Sequence, residues 1–230
     1  MFFDPLYIVM FIPAFLLSIY AQIKVKSSYH RYSKVPTMRG VTGAQAARHL
    51  LDAEGLADVR VELTQGFLSD HYDPRTRVLR LSEGVYGGDS LASVGVAAHE
   101  VGHAIQHARG YAPMSLRSAL VPMASIGSNF SWILLIIGFM LASKAMISAG
   151  LLFFTAVVLF QIVTLPVEFN ASSRALKALP ASGMLSDSEV AGARKVLSAA
   201  ALTYVAAAAA AIMQLIYFLL RAGLLGGRDE

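Results

Sequence analysis

The chain has 230 residues, of which 56% are apolar and only 15% charged, and its mean hydropathy is +0.57. That balance excludes an ordinary water-soluble domain and points to an integral membrane protein. Without a cysteine it can hold neither a disulfide nor a thiolate metal site, and its net charge of +4 lacks the interleaved stacking surface of a nucleic-acid binder.

Residues 5–23, "PLYIVMFIPAFLLSIYAQI", reach the length of about 20 apolar residues that a bilayer crossing takes. Asp4 precedes them in place of a basic n-region, so residues 1–23 read as an uncleaved anchor. Residues 24–40 form a basic juxtamembrane linker suited to anionic lipid. "TGAQAARHLLDAEGL" predicts a short amphipathic helix capped by Thr42 and ended by Gly55. "VRVELT" (59–64) and "RVLRLS" (77–82) alternate as half-buried strands do, and predict a hairpin or a pair of neighbours. Gly66 and Asp73-Pro74 mark turns between them. Asp89 or Ser90 then caps a helix that runs to about Arg109 and stops at Gly110.

Further spans are expected at 121–143, 146–167 and 199–220, the first of these interrupted at its start by Ser125, Ser128, Asn129 and Ser131. Residues 168–179 continue the third span past Pro166, and a capped helix leads into the fourth, where Ala206 to Ala211 suit close helix packing. Phe2, Tyr7, Tyr20 and Trp132 read as lipid-facing or interfacial anchors. Lys24, Lys26, Arg31, Lys34 and Arg39 follow the first span, and Arg174, Lys177, Arg194 and Lys195 lie between the third and fourth. Only Lys144 separates the second from the third, while Arg221 and Arg228 follow the fourth. The basic excess makes 24–120 and 168–198 cytoplasmic and both termini external.

The chemistry sits in "VAAHEVGHAIQHARG". His99-Glu100-Val101-Gly102-His103 is a His-Glu-x-x-His motif on a helix, and the i, i+4 spacing puts both imidazoles on one face to close on one Zn²⁺. Glu100 stands beside the ion, placed to take a proton from an attacking water. His107 continues the face, but at about 1.5 Å rise per residue it lies about 12 Å from His99, too far to share an ion with it. It is expected to line the cleft or make a polar contact. A third ligand must come from elsewhere. Glu168, a carboxylate beside the bilayer at the foot of the third span, is the best candidate, with Asp70, His71 and Asp73 of "SDHYDP" as competitors. For the oxyanion of acyl transfer, His71, Tyr72, His107 and Arg174 are candidates. The strand pair could add an extended substrate to its edge.

"AAHEVGHAIQ", "EFNASSRA" some 65 residues later and "SDHYDPRTRVLRLSE" together resemble the YugP-type family of membrane neutral zinc metallopeptidases, over most of the chain. There is a wider similarity to gluzincin membrane proteases of the HtpX type, whose third ligand is a Glu on a later helix reading Glu-x-x-x-Asp. The resemblance implies His99, His103 and Glu168 as ligands of one zinc ion and Glu100 as base. Ser172 stands where those relatives have the Asp that orients a ligating histidine, and Asn170 or Asp70 are the candidates to replace it.

The expected fold is a mostly α integral membrane protein, with four transmembrane helices and a small α+β, zincin-like cytoplasmic domain. Its parts are a first span at 1–23, a catalytic region at 24–120, two spans at 121–167, a cytoplasmic helical segment carrying the third ligand at 168–198, and a last span with its tail at 199–230. The expected function is a zinc-dependent endopeptidase acting on protein or peptide substrates, membrane-associated ones among them, at the cytoplasmic face of the bilayer. The alternative is a zinc-binding scaffold or adaptor without proteolysis. A metal transporter would need ionisable groups inside the spans, and only Lys144 lies even between two of them. A site cut within the bilayer fits poorly with the polar "HARGYAP" that follows the motif.

Overall fold

The computed structural model describes residues 4–225, so Phe2 and Arg228 lie outside the described residues. The elements are α1 (Pro5–Tyr32), α2 (Gly43–Ala53), β1 (Arg60–Thr64), β2 (His71–Asp73), β3 (Val78–Ser82), α3 (Glu83–Tyr86), α4 (Leu91–Ala108), α5 (Ala112–Met140), α6 (Lys144–Ala181) and α7 (Asp187–Arg221). The protein is mostly helical, with one small mixed sheet. Four helices, α1, α5, α6 and α7, are long and apolar enough to cross a membrane.

Each of those helices differs in extent from the apolar stretch that announced it. Helix α1 continues to Tyr32 and α5 starts at Ala112, while α6 runs past Pro166 to Ala181. Helix α7 fuses the capped segment and the fourth span into one element. Helical hydrogen bonding carries on through polar flanks that hydropathy does not mark. Helix α5 ends at Met140, short of the expected 143, because Ala142 takes φ 52° and turns the chain.

The chain divides into two compact units. One comprises the chain up to Tyr20, Ser115–Leu165 and the chain from Thr203 onward. Its core gathers Leu135, Leu151, Phe154, Val158, Tyr217 and Phe218, with Phe218 meeting the rings of Phe154 and Trp132 edge-on. Large apolar side chains such as Val9, Leu16 and Leu152 stay exposed, as lipid-facing residues would. The polar intrusion at the start of the second span folds back on its own helix: Ser128 Oγ and Asn129 Nδ2 both donate to the Ser125 carbonyl. Asp4 caps α1 by accepting from Leu6 N at 3.0 Å and also accepts from Tyr217 Oη at 3.2 Å.

The other unit comprises Ala21–Met114 and Pro166–Leu202. Its core is built around α4, which buries Val94, Ala97, Ala98, Val101, Ala104 and Ile105 among residues from α2, the sheet, α6 and α7. Thr42 caps α2 in a full capping box with Gln45. Of the two cap candidates for α4, Ser90 is the one used, accepting from Ser93 N. Helix α4 ends in a Schellman turn: Gly110 N bonds to His107 O, Tyr111 N to Gln106 O, and Gly110 sits at φ 59°, where a side chain would be strained.

Of the two expectations for 59–64 and 77–82, the sheet shows the pair of neighbours and not the hairpin. Its order is β1-β3-β2, with β1 parallel to β3 and β2 antiparallel to it. The true hairpin is β2–β3, closed by the Asp73-Pro74 turn, in which Asp73 accepts from Arg75 N at 2.9 Å and Thr76 Oγ1 at 2.6 Å. Strand β3 is central, so it buries Val78, Leu79 and Leu81 rather than one alternating face.

Candidate metal centre

Helix α4 sets His99 and His103 one turn apart on the same face, with ring centroids 4.8 Å apart and planes at 81°. Helix α6 crosses α4 at Gly102. A Cβ built there would stand 2.5 Å from the Ala171 carbonyl oxygen, so glycine is what lets the two backbones approach. That approach brings in Glu168, one turn earlier on α6.

Glu168 Oε2 lies 3.2 Å from His99 Nε2 and 3.6 Å from His103 Nε2, and the three candidate ligand atoms all fall within 4.8 Å of one another. A tetrahedral ion with bonds of about 2.0–2.1 Å holds its ligands about 3.3–3.4 Å apart. The two measured separations bracket that spacing. Two imidazoles and one carboxylate are also a familiar donor set for catalytic zinc, and one that leaves a coordination position open. The residues present therefore fit one zinc ion.

The surroundings are dry and charged. Glu168 is 2% exposed, and His103 and Glu100 are each 8% exposed. Burial by itself pulls the His103 imidazole towards a lower pKa, but its hydrogen bond to Glu168 and the nearby Glu100 charge outweigh this and raise it. Ser172 Oγ lies 3.1 Å from His99 Nδ1. Ser172 therefore supports this histidine itself.

The remaining sequence candidates fall in several places. Asp70 is not beside the ligands: its carboxylate accepts from Ser82 N at 2.7 Å and Ser82 Oγ at 3.0 Å. His71 is exposed and turns Nδ1 to the Ser69 carbonyl, and Asp73 is spent on its own turn. None of these three completes the cluster. Tyr72 Oη and His107 Nδ1 pair at 2.9 Å, which gives His107 the polar contact expected of it. Burial raises the Tyr72 phenol above its usual range, so it is protonated at neutral pH. Asn170 Oδ1 accepts from Arg174 Nε at 2.7 Å and from Gln106 Nε2 at 3.0 Å.

Gln106 is the residue that sequence reasoning passed over. It is fully buried, and its Oε1 lies 3.0 Å from His103 Nδ1. One signal was available: Gln106 follows His103 by three positions, on the same helix face.

A polytopic chain with a buried His-His-Glu cluster and a second glutamate inside the motif has the architecture of a membrane-bound zinc hydrolase. A family model described as "Putative neutral zinc metallopeptidase" matches residues 7–223, and the chain belongs to that family. It is 48% identical over 225 residues to "Putative membrane protease YugP" of Bacillus subtilis (strain 168), an alignment covering 98% of this chain and 99% of that protein. No solved structure matches. The protein is thus a zinc metallopeptidase, a hydrolase of protein substrates, whose four candidate spans associate it with a bilayer.

Proposed function

We propose that the chain is an endopeptidase in which His99, His103 and Glu168 hold one zinc ion and Glu100 is the general base, with the site at the cytoplasmic membrane interface. The observation that carries this reading is the meeting of three ligand atoms within 4.8 Å of one another, two of the separations near the edge of a zinc tetrahedron, with a buried carboxylate next to the first histidine. When bound, zinc supplies Lewis-acid polarisation of the scissile carbonyl and acidifies a water molecule. Glu100 takes the proton from the attacking water and returns it to the leaving amine. His99 and His103 would each offer Nε2 to the ion, supported at Nδ1 by Ser172 and Gln106 respectively. For the developing oxyanion the Tyr72–His107 pair is the candidate donor, since Arg174 is engaged by Asn170 and His71 turns to Ser69.

The basic residues flanking the apolar stretches support a cytoplasmic catalytic region with both termini outside. Glu168 directly follows the third apolar stretch along the same helix, which supports membrane proteins or their juxtamembrane segments as substrates. Detergent-purified protein should cleave a membrane-tethered peptide in preference to the same sequence in solution, and equal cleavage of both would remove the interfacial reading. Glu100→Gln should keep one zinc per chain and lose peptidase activity by at least 100-fold, the scale of lost acid–base catalysis. A Glu100→Gln protein with zinc and full biological activity would instead favour the scaffold.

A further inference from the structure

A ligating imidazole must present a lone pair, so its proton has to reside on the other nitrogen, and some neighbour must hold it there. Among the described residues His99 has only the Ser172 hydroxyl at Nδ1, and a hydroxyl can turn to donate or accept. His103 is different. Its Nδ1 faces one end of the Gln106 amide, and the other end of that amide is fixed twice.

Gln106 Nε2 lies 2.7 Å from the Val167 carbonyl, which can only accept, so the atom there is the NH2 group. Its second N–H meets Asn170 Oδ1 at 3.0 Å. The Asn170 amide is itself set by Arg174 Nε, which can only donate, at 2.7 Å. With the nitrogen end held this way, the oxygen end must face His103. A flipped Gln106 would set oxygen against two oxygens and NH2 against Nδ1, in a site without solvent to compensate. His103 is thereby obliged to carry a proton on Nδ1, which leaves Nε2, on the Glu168 side, as the nitrogen that can bind the ion. Both anchors lie on α6 around Glu168, Val167 just before it and Asn170 shortly after, so the same amide also fixes the register of the third ligand.

We propose that Gln106 is a positioning residue of the metal centre: clamped by Val167 and by the Arg174–Asn170 pair, it locks His103 in the tautomer that binds the ion. This rests on the zinc reading above. It assigns the control of tautomer to an uncharged amide three residues past the motif, in place of the carboxylate that commonly serves a zinc histidine.

The test uses the full chain in detergent, with zinc affinity measured by chelator competition and the visible spectrum of the cobalt-substituted protein as second readout. Gln106→Met, similar in volume and without polar atoms that reach Val167, should weaken zinc binding about 10–100-fold and alter the cobalt bands at saturation. Asn170→Ala and Arg174→Met should each weaken zinc several-fold, Arg174→Lys, which can still donate, should restore most of the loss, and Gln106→Met/Asn170→Ala should bind no worse than Gln106→Met alone. Zinc affinity within twofold of wild type in Gln106→Met, or losses that add in the double variant, would overturn the proposal while leaving the zinc site standing. Should Gln106→Met fail to fold, Asn170→Ala with wild-type affinity has the same force. A wild-type protein that binds no zinc, with His103→Ala indistinguishable from it, would remove both this proposal and the reading beneath it.

Discussion

Replacing Gly102 by alanine sets two effects of opposite sign against each other. Within α4 alone, alanine is preferred to glycine by about 0.8–1 kcal/mol. Across the contact with α6, the new Cβ would stand 2.5 Å from the Ala171 carbonyl oxygen and 3.0 Å from its C and Cα. Ordinary contact begins at 3.4 Å, so the backbones must separate by about 0.9 Å, the difference between 3.4 and 2.5. No flexible side-chain end can yield here; α6 itself has to move, an overpacking that costs about 1–3 kcal/mol. The net change in stability is a loss of up to about 2 kcal/mol. The larger consequence falls on the site, because metal coordination tolerates only about 0.2 Å and Glu168 rides on the displaced helix. Gly102→Ala should therefore bind zinc at least about 10–100-fold more weakly in chelator competition, the range seen when ligand support is disturbed. Its metal-free form should melt no higher than wild type. A variant that binds zinc as wild type does and melts several degrees higher would show helix propensity winning, and would refute the view that this glycine sets the α4–α6 approach.

Other outcomes follow from the same contacts. Ser172→Ala, which strips His99 of its Nδ1 partner, should reduce zinc affinity about 10-fold by the same competition assay with little change in melting temperature. Removing zinc with a chelator should lower the melting temperature of the wild type, by an amount corresponding to about 2.7 kcal/mol at a zinc concentration 100 times Kd, and should leave His103→Ala unaffected. The Thr76 and Arg75 hydrogen bonds hold the Asp73 carboxylate below its usual range. Because the folded value is the lower one, its contribution is complete above an unfolded pKa of about 3.9 and fades as pH falls through the folded value. Asp73→Ala should thus be less stable than wild type at neutral pH, and the gap should close in acid, measured by denaturant unfolding at a series of pH values.

Much of this architecture was legible because its signals are local. The i, i+4 histidines, the Thr42 and Ser90 caps and the stop at Gly110 each depend on residues within a turn or two of one another, and each stands where the sequence put it. What escaped notice depends on distant partners. Strand β2 is three residues long and lies within turn signals, and it exists as a strand because β3 pairs with it. The parallel pairing of β1 with β3 likewise leaves no mark in either strand's own pattern. Asp70 looked like a ligand because acidic residues beside a histidine suit metals, yet Ser82, brought alongside by the sheet, uses its oxygens. Gln106 carries no charge signal, only its place three residues past His103. Its role comes from the Val167 carbonyl and Asn170, which lie 61 and 64 residues away.

His99 and Glu168 are 69 residues apart in the chain, with one whole apolar helix and most of a second between them. While a ribosome is making the protein, the motif helix therefore leaves well ahead of the carboxylate that completes it. At about 5–20 residues per second the interval is about 3–14 s. During that time the nascent chain carries His99, Glu100 and His103 but not yet Glu168, the proposed third ligand. On the proposed site, hydrolytic competence therefore cannot precede synthesis of α5 and of α6 as far as Glu168.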